Sequence, residues 1–180
     1  AASDVYKRQK DEAYYLKSWW TDEPVLHILP HWNLKGHEGE PVSVWAYSNA
    51  DEVELFLNNK SLGRKKMPLN GHLEWETVYK PGRLKAVGYK NGKKTMTEVI
   101  ETTDAPSNIA VSADRNTIKA DNRDVAVCNV SLYDKKGRFV PDACLSLSIQ
   151  IEGPVRILGV GNGDPAYRAT ERPADTMTCS

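Results

Sequence analysis

The sequence predicts an all-β protein in which two consecutive β-sandwich modules follow one short helix. Three observations lead to this prediction: apolar and polar residues alternate with a period of two, turn signals recur at short intervals, and a single segment has helical spacing. The chain has 180 residues, of which 40% are hydrophobic, and this is enough to build a packed core. We therefore expect a globular chain with little helix.

The helical pattern lies near the N-terminus. Apolar and aromatic residues recur at helical spacing between Asp11 and Trp20, and Asp11 and Glu12 suit a first helical turn, where the helix dipole favours acidic side chains. Pro24 ends this pattern because it pushes the residue before it toward extended geometry. We predict a helix over residues 11–20 and a short extended segment over residues 25–29.

A first set of strands begins at Pro41. Val42, Val44 and Ala46 fall on one face of the first strand, while the residues between them fall on the other. Asn91-Gly92 is a strong signal for a two-residue hairpin. We predict solvated loop structure for the basic cluster at residues 64–66. The predicted strands are residues 42–47, 52–57, 73–79, 83–90 and 93–102.

A polar, proline-marked stretch at residues 103–108 separates this set from a second one. We predict a turn at residues 159–164 and no strand after it. A seven-stranded sandwich of this kind usually takes about 100 residues, so we expect the second sandwich to be truncated. Its predicted strands are residues 109–112, 117–120, 125–133, 145–151 and 155–160.

Charge and hydropathy exclude several classes of function. Lys and Arg total 24, and Asp and Glu also total 24, so no net charge attracts nucleic acid or an anionic membrane. The mean hydropathy is −0.55, and no apolar run approaches the roughly 18 residues that a spanning helix needs. The three cysteines are too few and too irregularly spaced for a disulfide scaffold or a zinc site.

Two pairs of glutamates resemble the carboxylate pairs that cleave sugars. Glu52 and Glu54 flank one residue of a predicted strand, and Glu74 and Glu76 flank Trp75. Residues two apart on a strand point to the same face, which is usually solvated, and neither pair converges from separate elements. We expect neither pair to be catalytic.

Histidines and glycines offer two further candidates. His27 and His31 have the spacing of zinc ligands on a helix, but Pro30 lies between them and no glutamate follows His27. We expect His31, Trp32 and Asn33 to form a packed corner instead. Residues 159–164 are glycine-rich, but a phosphate loop must open a helix, and no helical pattern follows.

Longer motifs resemble a known family. The run from Tyr14 to Asn33, which ends in PHWN, resembles the end of the catalytic barrel in family 2 glycoside hydrolases of the bacterial β-galactosidase type. Residues 44–63 and 84–93 are similar to the next module of those enzymes. Residues 118–121, 134–143 and 159–165 resemble the immunoglobulin-like domain that follows it.

The resemblance implies a division of the chain and a role for each part. Residues 1–40 would be a remnant of a TIM-barrel end with a linker, residues 41–103 a small accessory β-sandwich, and residues 104–180 an incomplete immunoglobulin-like domain. By this resemblance, the parent enzyme would be a retaining glycosidase whose two catalytic glutamates lie on barrel strands upstream of this chain. We therefore expect no catalytic, cofactor-binding or metal-ligating residue here. The location of the protein is unknown from this chain, and the family that it resembles suggests the bacterial periplasm or secretion.

The implied partner is the catalytic barrel of the same polypeptide, and the modules would brace it, with roles at the active-site entrance or a subunit interface left open. We expect His31, Trp32 and Trp45 to pack against the barrel. Without the barrel, we expect exposed apolar surface around Trp19, Trp20 and Trp32, which would favour association of the chain with itself.

Two alternatives remain at this stage. A stand-alone carbohydrate-binding or adhesion module would need solvent-facing aromatic side chains, so the exposure of Trp45, Trp75 and Tyr79 discriminates it from an architectural part. A complete small hydrolase would need two convergent acids, one of them with a raised pKa.

Overall fold

The computed structural model describes residues 2–161 and 176–177. Within these residues a single helix precedes eleven strands, which confirms the all-β class. The elements in chain order are α1 (Ala2–Trp20), β1 (Leu26–Leu29), β2 (Pro41–Ser48), β3 (Glu52–Leu57), β4 (Lys60–Lys66), β5 (Leu73–Val78), β6 (Arg83–Lys90), β7 (Lys93–Glu101), β8 (Pro106–Ala113), β9 (Cys128–Asp134), β10 (Leu147–Ser148) and β11 (Thr176–Met177).

The helix α1 is longer than the sequence predicts. It begins at Ala2, so Asp11 and Glu12 lie in its middle, and the predicted first turn is wrong. The segment before Asp11 contains no glycine or proline that would stop a helix, but it lacks the apolar periodicity from which the helix was predicted. Among the described residues, α1 does not have the apolar character of a membrane-spanning helix.

The strands β1 to β7 form two antiparallel sheets that pack face to face. The first sheet has the strand order β1-β2-β5 and the second β4-β3-β6-β7. β1 joins the first sheet through pairs such as His27 with Tyr47 and Leu29 with Trp45. This seven-stranded unit is called the first sandwich below.

The core of the first sandwich follows the predicted alternation. Val44 and Ala46 on β2 and Leu55 on β3 are fully buried, while their strand neighbours face outward. Burial of such apolar side chains is the main favourable contribution to folding. The inward-facing residues of the strands are Ile28, Val44, Ala46, Val53, Leu55, Leu57, Leu73, Trp75, Leu84 and Ala86.

The basic cluster at residues 64–66 lies on a strand and not in a loop, which corrects the prediction. β4 pairs with β3 as the edge strand of the second sheet, with Glu52 opposite Lys66 and Leu55 opposite Gly63. Gly63 has a φ of 108° at the register shift, a backbone conformation that suits glycine. Since most of β4 is exposed, its polar sequence carries no period-two signal.

The second half of the chain has fewer strands than predicted. β8 pairs with β9, and β10 pairs with β11. Residues 117–120 and 155–160 are not strands, and only Leu147–Ser148 of the predicted strand at residues 145–151 is one. The prediction of no strand after residue 164 is wrong, because β11 lies at Thr176–Met177. Of the predicted turn at residues 159–164, the part from residue 162 lies outside the described residues.

Candidate functional site

The helix α1 packs on the outer face of the first sheet through aromatic side chains. The ring of Tyr15 lies 5.1 Å from that of Tyr47 on β2 and 4.3 Å from that of Trp19. The hydroxyl of Tyr15 donates to the carbonyl oxygen of Asn70 over 3.2 Å. The helix is therefore attached to the sandwich on one side only.

A charged histidine fixes this attachment. His27 on β1 lies between two carboxylates, with Nε2 2.7 Å from Asp11 of α1 and Nδ1 3.2 Å from Glu98 of β7. Its ring stacks on Tyr14 with 4.0 Å between the centroids. Burial lowers the pKa of His27, but the hydrogen bonds to both carboxylates outweigh burial and raise that pKa to about 9. At neutral pH the imidazolium joins the helix to both sheets.

His27 and His31 do not share a site in this arrangement. Both ring nitrogens of His27 already face carboxylates, and the backbone N–H of Asn33 donates to Nδ1 of His31 over 3.2 Å. Over the part of the chain that the structure describes, no group of three or more His, Cys, Asp or Glu side chains is placed to hold a metal ion.

The opposite side of α1 exposes large apolar side chains. Trp20 is 78% exposed, and Leu16 and Trp19 are each 40% exposed. Two hollows of about 90 and 350 Å³ lie beside this helix, and Tyr14 and Lys17 line both of them. The exposure predicted for Trp19 and Trp20 is confirmed, and contiguous exposed apolar surface of this kind marks a contact site.

Trp32 behaves differently from the prediction made for it. Its side chain is 1% exposed, its indole N–H donates to the carbonyl oxygen of Lys80 over 3.0 Å, and its ring lies 5.2 Å from that of Tyr79. The packed corner is therefore confirmed. The predictions that Trp32 is exposed and that it contacts the barrel are wrong, because the first sandwich itself covers this side chain.

The aromatic residues that would support a sugar-binding surface are mostly internal. Trp75 is 3% exposed and Tyr79 is 0% exposed, which favours an architectural role over a stand-alone binding module. Trp45 is half-buried on the outer face of the first sheet. Its indole N–H donates to the hydroxyl of Ser43 over 3.0 Å and to Oε1 of Glu74 over 3.1 Å.

The glutamate pairs lack the features of catalytic acids. Hydrogen bonds from Ser43 and Trp45 lower the pKa of Glu74, whereas a catalytic acid needs a raised pKa. Among the described residues, every carboxyl group with a displaced pKa is displaced downward.

The second pair, Glu52 and Glu54, lies on the outer face of the second sheet, where each side chain has a partner. Glu52 forms an ion pair with Arg64. Glu54 accepts hydrogen bonds from the hydroxyls of Ser61 at 2.7 Å and Tyr89 at 3.1 Å. These contacts hold β4 to the sheet, as exposed cross-strand pairs do.

A joint between the two halves of the chain was not found from the sequence. The amide nitrogen of Asn33 donates to Thr103 and to Asp142, each over 2.6 Å, and the N–H of Thr103 donates to Oδ1 of Asn33 over 2.8 Å. One side chain thus joins the segment after β1, the linker and the second half. The asparagine in the PHWN run was the one sequence feature from which this joint could have been predicted.

A buried ion pair stands next to this joint. Asp134 is 0% exposed and accepts hydrogen bonds from the backbone N–H groups of Asp104, Lys136 and Arg138. Arg138 also forms an ion pair with it and donates to the carbonyl oxygen of Thr102 over 2.8 Å. Burial raises the pKa of Asp134, but these hydrogen bonds outweigh burial and hold it well below its usual range.

Comparison with known proteins agrees with the resemblance seen in the sequence. Residues 39–96 match a family described as a domain of unknown function, DUF4982, and residues 109–179 match glycoside hydrolase family 2 C-terminal domain 5. The β-galactosidase BoGH2A of Bacteroides ovatus is 39% identical over 158 residues, which are 87% of this chain. The chain belongs to the C-terminal region of glycoside hydrolase family 2.

Two further relatives are similar over most of this chain. A putative β-glucuronidase of Formosa agariphila is 35% identical over 168 residues, 91% of this chain. A crystal structure of a β-glycosidase from Bacteroides vulgatus superposes with a TM-score of 0.85 and 37% identity, covering 94% of this chain and 22% of that one. This family 2 chain spans 18% of the length of the Bacteroides ovatus protein and 16% of the Formosa agariphila protein.

Proposed function

We propose that this chain is the non-catalytic C-terminal accessory portion of a larger glycoside hydrolase, in which it braces the catalytic barrel. The parent polypeptide would hydrolyse O-glycosyl bonds of β-galactosides or β-glucuronides, the two activities that the names of its relatives carry. The observation that carries this proposal is the exposed aromatic side of α1, with Trp20 78% exposed.

The two sides of α1 support this role. One side is attached to the first sandwich by Tyr15, and by His27 through Asp11. The other side presents Leu16, Trp19 and Trp20 to solvent, at a cost in free energy that a contact partner would remove. The partner that we propose is the remainder of the barrel, to which α1 would belong.

The proposed division of the chain follows from the same contacts. Residues 1–40 would be the barrel end with its linker, residues 41–103 the brace, and residues 104–180 an outer module. The contacts of His27 and Asn33 support a fixed arrangement of these parts, because each joins side chains from different parts of the chain.

Catalysis would take place outside this chain. A retaining glycosidase uses two carboxyl groups about 5 to 5.5 Å apart, one as nucleophile and one as acid and base. The depressed pKa of Glu74 and the ion pair of Glu52 support structural roles for the glutamate pairs. We propose no catalytic, cofactor-binding or metal-ligating residue in this chain.

Hydrolysis of chromogenic β-galactoside and β-glucuronide substrates tests this proposal. The measurement compares the 180-residue chain with the same chain extended upstream through the barrel. We expect hydrolysis by the extended polypeptide only. Turnover by the 180-residue chain that survives repurification, and that is lost in a variant with both Glu74→Gln and Glu76→Gln, would overturn the proposal. Absence of hydrolysis of either substrate by the extended polypeptide would overturn the assigned activity.

A further inference from the structure

The outer face of the first sheet carries a polar and aromatic surface beside α1, and it includes Trp45, for which the sequence predicts a contact with the barrel. It consists of Ser43 and Trp45 on β2, His72 just before β5, and Glu74 and Glu76 on β5, and is called the Trp45 patch below. Trp45 lies opposite Glu74 in the strand register, and Ser43 lies opposite Glu76. The patch therefore spans two neighbouring strands.

We propose that the Trp45 patch is a binding site for a pyranose ring of a glycan, and that it prefers neutral sugars to uronic acids. The inference rests on the proposed function in so far as the glycan would be the one that the parent enzyme processes. The site would lie outside the catalytic centre, which we place upstream of this chain.

The aromatic part of the patch is held in a fixed orientation. The indole of Trp45 stacks on the imidazole of His72 with 4.3 Å between the centroids and 23° between the planes. The indole N–H is held by Ser43 and Glu74. An aromatic surface fixed in this way can pack against the C–H groups of a sugar ring without losing side-chain freedom on binding.

The polar part supplies acceptors for sugar hydroxyls. Oε1 of Glu74 accepts from the hydroxyl of Ser43 at 2.5 Å, and the Glu74 and Glu76 side chains are exposed. Because hydrogen bonds from Ser43 and Trp45 lower the pKa of Glu74, this carboxylate stays ionised over the neutral range. Hydrogen bonds from hydroxyls to ionised carboxylates are stronger than those between neutral groups.

The charge of the patch argues for neutral sugars. Glu74 and Glu76 bring two exposed carboxylates to the patch, while the nearby cation Lys65 donates from its Nζ to the backbone carbonyl oxygen of Glu74 over 2.5 Å. A uronic acid would bring a further carboxylate to this surface and be repelled.

The same charges argue against a protein partner on the patch. The helix α1 covers the end of the outer face near Tyr47 and His27, but at the other end both Glu74 and Glu76 remain exposed. Burying two carboxylates under a protein surface without matched cations is costly. A sugar ring, by contrast, leaves the carboxylates partly solvated while its hydroxyls bind them.

Titration calorimetry on the parent polypeptide tests the proposal with two probes, β-1,4-galactotetraose and a β-linked glucuronan of the same length. We expect Trp45→Ala to weaken galactotetraose binding by roughly tenfold and Glu74→Gln to weaken it several-fold, which corresponds to the loss of one ring contact or one charged acceptor. The matched controls are Phe56→Ala and Glu54→Gln, which change the same residue classes on the outer face of the second sheet. Both should leave binding unchanged.

Two further readouts separate binding from packing. The thermal midpoint and the hydrolysis of a chromogenic monosaccharide substrate should be unchanged in Trp45→Ala. Unchanged galactotetraose affinity in that variant, or a joint loss of affinity, thermal midpoint and chromogenic hydrolysis, would overturn the proposal. Tighter binding of the glucuronan would overturn the preference for neutral sugars. Chromogenic hydrolysis by the wild type tests the proposed function separately.

Discussion

The two halves of the chain have similar alternating sequences but bury different kinds of side chain. In the first sandwich, Val53 and Leu55 are 0% exposed between two sheets. In the second half, Ile109 and Val111 on β8 are 59% and 66% exposed, although β8 is a strand that pairs with β9. Alternation thus specifies a strand with an apolar face, and burial of that face depends on a second sheet.

Polar contacts replace the apolar core in the second half. Its fully buried side chain is Asp134, which Arg138 and three backbone N–H groups satisfy. The first sandwich therefore distributes its stability over many apolar contacts, whereas the described part of the second half concentrates it in one ion pair. The following predictions test this contrast.

The largest effect is expected where a buried charge loses its partner. Arg138→Met removes the cation that pairs with Asp134 and leaves this solvent-excluded carboxylate with backbone N–H donors alone, so we expect the largest loss of stability here. We expect the second half to unfold in this variant while the first sandwich remains folded. Chemical denaturation followed by far-UV circular dichroism and hydrogen exchange measures both halves.

Arg115→Met is the matched control for this prediction. Arg115 pairs with Asp114 and Asp124 on the surface, where ion pairs contribute at most about 1 kcal/mol. Equal destabilisation by both substitutions would show that the Asp134 ion pair has no special role.

The next largest difference is expected when the same substitution is made at a buried leucine of the first sandwich and at an exposed leucine of the second half. Leu55 is 0% exposed and Leu158 is 56% exposed. Leu55→Ala should lower the free energy of unfolding by about 2–5 kcal/mol because it leaves a cavity. Leu158→Ala should change that free energy by less than about 0.5 kcal/mol, as measured by urea titration. A larger loss from Leu158→Ala would mean that the second half has a core of its own.

A smaller effect concerns pH and the attachment of α1. Because the pKa of His27 is raised from 6.5 to about 9, its contribution to stability is full below pH 6.5 and is lost as the pH rises through 9. The loss is at most about 3.5 kcal/mol, since one pKa unit corresponds to about 1.4 kcal/mol. Urea titrations between pH 6 and 10 should show this decline in the wild type and a flatter profile in His27→Gln.

His37→Gln provides the control for the pH prediction. The ring of His37 pairs with Glu40, and both side chains are 60% exposed. We expect its profile to follow that of the wild type. A decline in His27→Gln as steep as in the wild type would contradict the role of the Asp11–His27–Glu98 contact.

The sequence predicts the strands of the first sandwich better than those of the second half, for a physical reason. Strands such as β3 bury one face and expose the other, and this produces the alternation that reveals them. The edge strand β4 has little to bury and was missed. Residues 117–120 and 155–160 alternate but lack a paired neighbour, so pattern alone overestimates strands there.

The candidate sites show the same limit. The packed corner at Trp32 and the exposure of Trp19 and Trp20 follow from local sequence. The contacts of Asn33 with Asp142 and of His27 with Glu98 join residues 109 and 71 positions apart. No local pattern reveals such pairs, because they form only once the sheets and the linker are in place.

Hydrogen–deuterium exchange tests the central claim most directly, namely that α1 is a contact surface for the barrel and the first sandwich is stable without it. The measurement compares the 180-residue chain with the chain extended upstream through the barrel. We predict slow exchange of β2, β3 and β6 in both, and protection of the α1 segment around Trp20 only in the extended polypeptide. Equal exchange of α1 in the two proteins would contradict the claim.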